Sequence, residues 1–245
     1  MVKEFWRDWN NKTKIEKIAI ESLRKAERIL FENIPKEKIY AIYVKGSFVR
    51  REMNKKSDVD IVPITYDNKT LEKIMKLEET KGYLYKPSEL LPHSLKEFEQ
   101  GKRYLKYGSP KGGVDVTLRN LYKYKLIYGQ PIDINKYSIR SDLEFLNDHI
   151  NAFKTVFIPM YKEKKFGFSE IMKQVFFLVE REERIICKET PDSWKALANS
   201  IKDEKHIIHD VLKYRLHPTK DLEVRAKLLE KLQQYLRRLS KEYTK

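Results

Sequence analysis

The stretch Lys45-Gly46-Ser47-Phe48-Val49-Arg50-Arg51-Glu52-Met53-Asn54-Lys55-Lys56-Ser57-Asp58-Val59-Asp60 decides the fold. A β-branched and aromatic run, Ile39 to Val44, stands directly before it and reads as a strand. Val59-Asp60-Ile61-Val62-Pro63-Ile64 alternates and reads as a second strand, with Pro63 hinting at an edge or a strand end. Gly46-Ser47 turns the chain out of the first strand, and after ten intervening residues Asp58 and Asp60 open the second. Alternate residues of a strand share a face, so the two carboxylates point the same way. They repel one another unless a cation lies between them. Hard divalent cations take oxygen ligands, and Mg²⁺ characteristically combines one or two carboxylates with phosphate oxygens. Gly46 lets a phosphate approach the backbone, and the Ser47 hydroxyl can donate to a phosphate oxygen. Arg50 and Arg51 offer charge-assisted bonds to a triphosphate. Ser57, beside Asp58, completes the expected nucleotide-binding set.

Working outward, Asn11 to Phe31 carries apolar residues at three- and four-residue steps and reads as an amphipathic helix, which Pro35 breaks. Thr70 to Lys81 reads as a second helix, Ser88 to Tyr107 as turns with helical pieces, and Leu121 to Tyr128 as a short helix closed by Gly129. Val114-Asp115-Val116-Thr117-Leu118 alternates as a third strand. After residues 130–140 the texture is helical. Ser141 with Glu144 forms a capping box opening one helix, which Pro159 should end or kink. Glu170 to Cys187 reads as the next, Thr190-Pro191 as the start of another, then Glu204 to Arg215 and Leu222 to Tyr243. The expected fold class is α+β: a small mixed sheet with flanking helices over residues 1–135, followed by an all-helical domain over 136–245.

Strand, Gly46-Ser47, ten residues, Asp58-x-Asp60, strand: in this order the pattern resembles the DNA polymerase beta superfamily of nucleotidyltransferases, over roughly residues 36–130. The resemblance implies that Asp58 and Asp60 bind a pair of Mg²⁺ ions and that the Gly46-Ser47 turn holds nucleotide phosphates. It also implies a third carboxylate on a later strand, and Asp115 fits that role as metal ligand or general base. Glu52, Asp67 and Asp133 are weaker candidates for it. The implied reaction moves a nucleoside monophosphate, AMP from ATP, to an acceptor hydroxyl and releases pyrophosphate. A nucleotidyltransferase domain followed by a helical domain is similar in plan to aminoglycoside adenylyltransferases, and the segment from Cys187 to Leu197 loosely resembles part of their helical domain.

Composition bears on the acceptor. The chain has 245 residues, with 51 Lys+Arg against 36 Asp+Glu, a formal net charge of +15. The excess is spread over both halves, and a Lys/Glu-rich chain with few glycines is thermophile-like. A cationic acceptor is modestly disfavoured, so the expected acceptor is a small molecule or a protein, with RNA as the alternative favoured by charge. A further alternative is a non-catalytic nucleotide- or RNA-binding protein, against which the intact Ser47, Asp58 and Asp60 argue. The single Cys187 excludes an intramolecular disulfide and a cysteine-rich zinc site. His206 and His209, followed by Asp210, are expected to cap or face solvent rather than to bind a metal. No apolar run suits a membrane span or a secretory signal, so the expected compartment is the cytoplasm.

Overall fold

The computed structural model describes residues 4–104, 113–187, 190–191 and 193–244. The chain divides into two compact units, Met1–Ile139 and Arg140–Lys245. Together they form an α+β protein, with a mixed sheet and its helices in the first unit and helices alone, among the described residues, in the second.

The first unit opens with α1 (Lys14–Asn33), started by a reciprocal capping box between Thr13 and Glu16. Strand β1 (Ile39–Lys45) pairs antiparallel with β2 (Val59–Thr65), and α2 (Asn68–Lys81) follows, capped by Asp67. Two very short strands, β3 (Ser88–Leu90) and β4 (His93–Ser94), then lie parallel to β2 in succession, β3 beside Val59–Ile61 and β4 beside Ile64–Thr65. Pro63 falls in the break between these two ladders, where no N–H is demanded of it, so it is accommodated in an interior strand rather than at an edge. Helix α3 (Leu95–Gln100) ends at Gly101, and α4 (Asp115–Asn120) leads through a short 3₁₀ turn to β5 (Lys125–Gly129), which pairs antiparallel with β1.

Two expectations are corrected here. Val114–Leu118 is not a strand: helix α4 begins at Asp115. Leu121–Tyr128 is not a helix: after Lys123 the chain enters β5, which takes the outer edge of β1. The alternation of Val114, Val116 and Leu118 competes with a second spacing, Val114, Leu118 and Leu121, which is helical. These last three are buried together against Ala41, Tyr43, Val62, Ile64 and Phe98, so packing selects the helix.

The sheet buries both faces. On one side Ile42 and Val44 of β1, Val59 and Ile61 of β2 and Leu90 of β3 pack against α1 and α2 through Leu23, Leu30 and Ile74. On the other, Tyr43, Val62 and Ile64 meet Phe98, Leu118 and Leu121.

The second unit contains α5 (Asp142–Ala152), a π-turn over Phe153–Phe157, α6 (Ile158–Lys162), α7 (Phe168–Cys187), α8 (Trp194–Ser200), α9 (Ile207–Leu216) and α10 (Leu222–Tyr243). Pro159 sits in the first turn of α6, where its missing N–H is harmless. The cap of α8 is Ser193, not Thr190, and His206 caps α9 by accepting the Ile208 N–H at Nδ1. Lys188, Glu189 and Asp192 of the Cys187–Leu197 segment lie outside the described residues. One core joins the helices, with Ile150, Phe153, Ile171, Val175, Leu197, Leu232 and Leu239 all buried. Within it, Glu182 accepts from the Tyr235 hydroxyl and, at 2.6 Å, from Arg238. No helix among the described residues is long and apolar enough to cross a membrane.

Candidate active site

Gly46 and Asp60 meet where β1 ends and β2 begins. Lys45 and Asp60 are register partners in the ladder, and Gly46 turns the chain away with φ +85°. A methyl group on Gly46 would stand 2.5 Å from Asp60 Oδ2, so the glycine is in van der Waals contact with that carboxylate. Left-handed backbone and a close approach are both demanded at one position, and glycine alone meets them without cost.

Alternation along β2 fixes where the carboxylates point. Val59 and Ile61 enter the cluster against α1 and α2, so Asp58 and Asp60 face the opposite side, with Val62 and Ile64. Asp58 is exposed and Asp60 half-buried. Asn54 to Ser57 forms a turn in which the Asn54 N–H donates to Ser57 Oγ at 2.9 Å and the Ser57 N–H returns to the Asn54 carbonyl at 3.0 Å. This turn delivers the chain to Asp58.

Sequence reasoning missed a third carboxylate, Glu89. In the parallel ladder Glu89 is the partner of Asp60. Its neighbours Ser88 and Leu90 turn toward α1, where Ser22 Oγ donates to Ser88 Oγ at 2.7 Å, so Glu89 faces the same side as Asp58 and Asp60. Partial burial raises the Glu89 pKa above its ordinary value, and the nearby charges of Asp60 and Asp58 raise it further, against a lowering by Lys86. The available signal was slight: a polar residue between two buried ones in a strand of three residues.

Asp115 stands elsewhere than expected. It lies in the first turn of α4, 7 % exposed, on a helix that closes the sheet and not on a strand of it. The other carboxylates considered have local tasks. Glu52 pairs with Arg50 at 2.9 Å, Asp67 accepts the Thr70 N–H at 2.8 Å, and Asp133 accepts the Asn135 N–H at 3.2 Å.

The two arginines are also differently employed. Arg50 is held by Glu52. Arg51 donates from Nε and Nη2 to the two carboxylate oxygens of Glu16, at 2.7 and 3.1 Å. Glu16 is held well below the ordinary glutamate range, to about 2, first by this Arg51 hydrogen bond and then by the Thr13 backbone N–H, with burial opposing.

A buried polar network links His93, Glu97 and Thr117. Thr117 Oγ1 and His93 Nε2 are 2.9 Å apart, and Arg103 Nη1 lies 2.5 Å from His93 Nδ1 and 3.4 Å from Glu97. Burial pushes His93 down to about 4, so it is neutral at pH 7. The network joins β4, α3 and α4.

Asp58, Asp60 and Glu89 are hard oxygen donors crowded onto one side of adjacent strands, a set suited to a divalent cation. Among the described residues no group of three or more His, Cys, Asp or Glu side chains is placed to hold a metal ion.

Residues 10–120 match the family described as Polymerase beta, Nucleotidyltransferase. The first unit therefore carries a nucleotidyltransferase domain of that family, and the protein is an enzyme of the nucleotidyltransferase class. The chain is similar in fold to a spectinomycin adenyltransferase, AAD(9) from Enterococcus faecialis, solved with ATP and spectinomycin: TM-score 0.53, 15% identity, covering 89% of this chain and 99% of that one. Two toxin–antitoxin structures match at lower similarity. An MntA-HpeT mutant has 18% identity and TM-score 0.28 over 58% of this chain and 94% of its own. A complex with AMP-PNP has 19% identity and TM-score 0.26 over 61% and 95%. No curated protein sequence matches the chain.

Proposed function

We propose that this protein transfers a nucleoside monophosphate, AMP from ATP, to an acceptor hydroxyl with release of pyrophosphate, and that it depends on Mg²⁺. The observation that carries the reading is the convergence of Gly46, Asp60 and Glu89 across three neighbouring strands, with Asp58 on the same side. Asp58 and Asp60 would hold two Mg²⁺ ions, which when bound neutralise phosphate charge and activate the acceptor oxygen. The Gly46-Ser47 turn receives the phosphates, the glycine by close approach and the serine through its hydroxyl. Ser57 contributes indirectly, since its hydroxyl is engaged in the turn that presents Asp58.

Glu89 takes the third-carboxylate role that the sequence assigns to Asp115. Its raised pKa makes it a better proton acceptor than an ordinary glutamate. The acceptor oxygen bonds to the α-phosphorus as the bridging α–β P–O bond breaks. The hydroxyl proton passes to the Glu89 carboxylate, and pyrophosphate leaves.

The acceptor is proposed to be a small molecule, with a protein hydroxyl next. The fold shared with an adenyltransferase solved with ATP and spectinomycin supports the first. RNA is the alternative, favoured by the net charge of +15. A metabolic ATP supply makes the cytoplasm the proposed compartment. The test is incubation with labelled ATP and Mg²⁺ against separate pools of small hydroxylated molecules, protein and RNA. Label in one pool names the acceptor, and Asp58→Ala, Asp60→Ala and Glu89→Gln should each abolish it. Undiminished labelling in any of these variants refutes the role given to that residue, and retention in both aspartate variants refutes the site.

A further inference from the structure

We propose that Arg51 is a positioning residue that holds the Gly46–Glu52 turn ready for a nucleoside triphosphate before the nucleotide arrives. The proposal rests on the reading of that turn as the nucleotide site.

Arg51 adopts φ +56°, a left-handed conformation that a residue with a side chain adopts only when its surroundings hold it there. The surroundings are specific. Glu16 grips the guanidinium with both oxygens, and Nη2 also donates to the carbonyls of Asn10 and Asn11 at 3.2 and 3.4 Å. The guanidinium lies 4.8 Å from the centroid of the Trp9 ring. Glu16 cannot follow a moving loop, because its other task is to cap α1 by accepting the Thr13 N–H at 2.7 Å.

A second grip acts three residues earlier. Phe48 is fully buried among Phe5, Trp6 and Trp9, with ring centroids 5.8, 6.0 and 5.2 Å away. Between the grips the turn is closed by its own backbone, with the Glu52 N–H on the Ser47 carbonyl at 2.8 Å and the Arg51 N–H on the Phe48 carbonyl at 3.1 Å. The N-terminal segment and α1 thus fix the turn from outside the site. A turn ordered in advance spares the nucleotide the cost of ordering it.

Two variants test this against the simpler idea that Arg51 attracts phosphate directly. Glycine accepts φ +56° freely, so Arg51→Gly removes the grip and leaves the turn sterically allowed. Glu16→Gln removes a negative charge and loosens the guanidinium. The readout is the Kd of a non-hydrolysable ATP analogue with Mg²⁺, by titration calorimetry on the full chain well below the thermal midpoint. Positioning predicts that both variants bind about tenfold more weakly and that the double variant is no weaker than Arg51→Gly alone. Direct attraction predicts the opposite sign for Glu16→Gln, which would bind more tightly. Unchanged affinity in either folded variant, or tighter binding by Glu16→Gln, overturns the proposal. Should Arg51→Gly fail to fold, the near-isosteric Glu16→Gln carries the same test. Absence of analogue binding to the parent protein overturns the nucleotide reading, and the proposal with it.

Discussion

Gly46→Ala separates the fold from the chemistry. An added Cβ would lie 2.5 Å from Asp60 Oδ2, and ordinary contact begins at 3.4 Å, so the carboxylate must retreat by 3.4 − 2.5, about 0.9 Å. The obstructing atom is the far end of the Asp60 side chain rather than backbone. The backbone contributes the main stability cost: alanine at φ +85° loses about 1–2 kcal/mol. That corresponds to a fall of roughly 2–8 °C in the thermal midpoint for a protein of this size. The chemistry should suffer far more, because a misplacement of about 1 Å in a reacting group costs on the order of 100-fold in rate. The assay is pyrophosphate release with ATP, Mg²⁺ and the identified acceptor, beside a thermal melt of the same preparation. Activity within about threefold of the parent, with the midpoint lowered as stated, would refute the claim that contact between Gly46 and Asp60 aims the carboxylate.

Three further outcomes are expected. The Glu89 pKa is raised by folding, so its protonated form favours the folded state and that stability is lost as pH rises from the ordinary glutamate value through the raised one. Glu89→Gln, melted at pH 7 in chelator, should therefore be more stable than the parent while losing turnover; a lower midpoint would contradict the crowding of carboxylates. Glu16 titrates in the opposite sense: the stability it contributes is complete above its ordinary value of 4.5 and is lost as pH falls toward about 2. Urea unfolding between pH 5 and about 2 should show a shallower acid loss in Glu16→Gln than in the parent, and parallel curves would deny the Arg51 pairing. In the second unit, Glu182→Ala leaves the buried Tyr235 hydroxyl without its acceptor and takes the carboxylate from Arg238; a loss of about 3 kcal/mol by denaturant unfolding is expected, and a loss near zero would show that Glu182 is dispensable.

Much of the candidate site's geometry is legible because its signals are local. Strand, glycine turn and alternating aspartates lie within one short stretch, and each rests on a rule that needs no partner elsewhere. The helices of the second unit were legible for the same reason, since their apolar spacing repeats over several turns. What escaped notice depends on distant residues. Glu89 becomes visible only when β3 pairs with β2, and nothing inside Ser88-Glu89-Leu90 announces a strand. The pairing of Arg51 with Glu16 is not legible because charge alone cannot name a partner, and Glu16 lies a helix and a strand away in the chain. Val114–Leu118 satisfies strand and helix periods together, and the choice falls to β5, which occupies the edge of β1 that a third strand would have needed.

The placement of the three tryptophans gives the chain two optical reporters of its own. Trp6 and Trp9 touch Phe48 of the Gly46–Glu52 turn, whereas Trp194 stacks face to face on Phe176 in the second unit, with centroids 4.1 Å apart. Replacing Trp194 by phenylalanine leaves red-edge emission that arises wholly beside the turn. Replacing Trp6 and Trp9 leaves emission that arises wholly among the helices. The two preparations report on the surroundings of Phe48 and of Phe176 separately, without an attached dye.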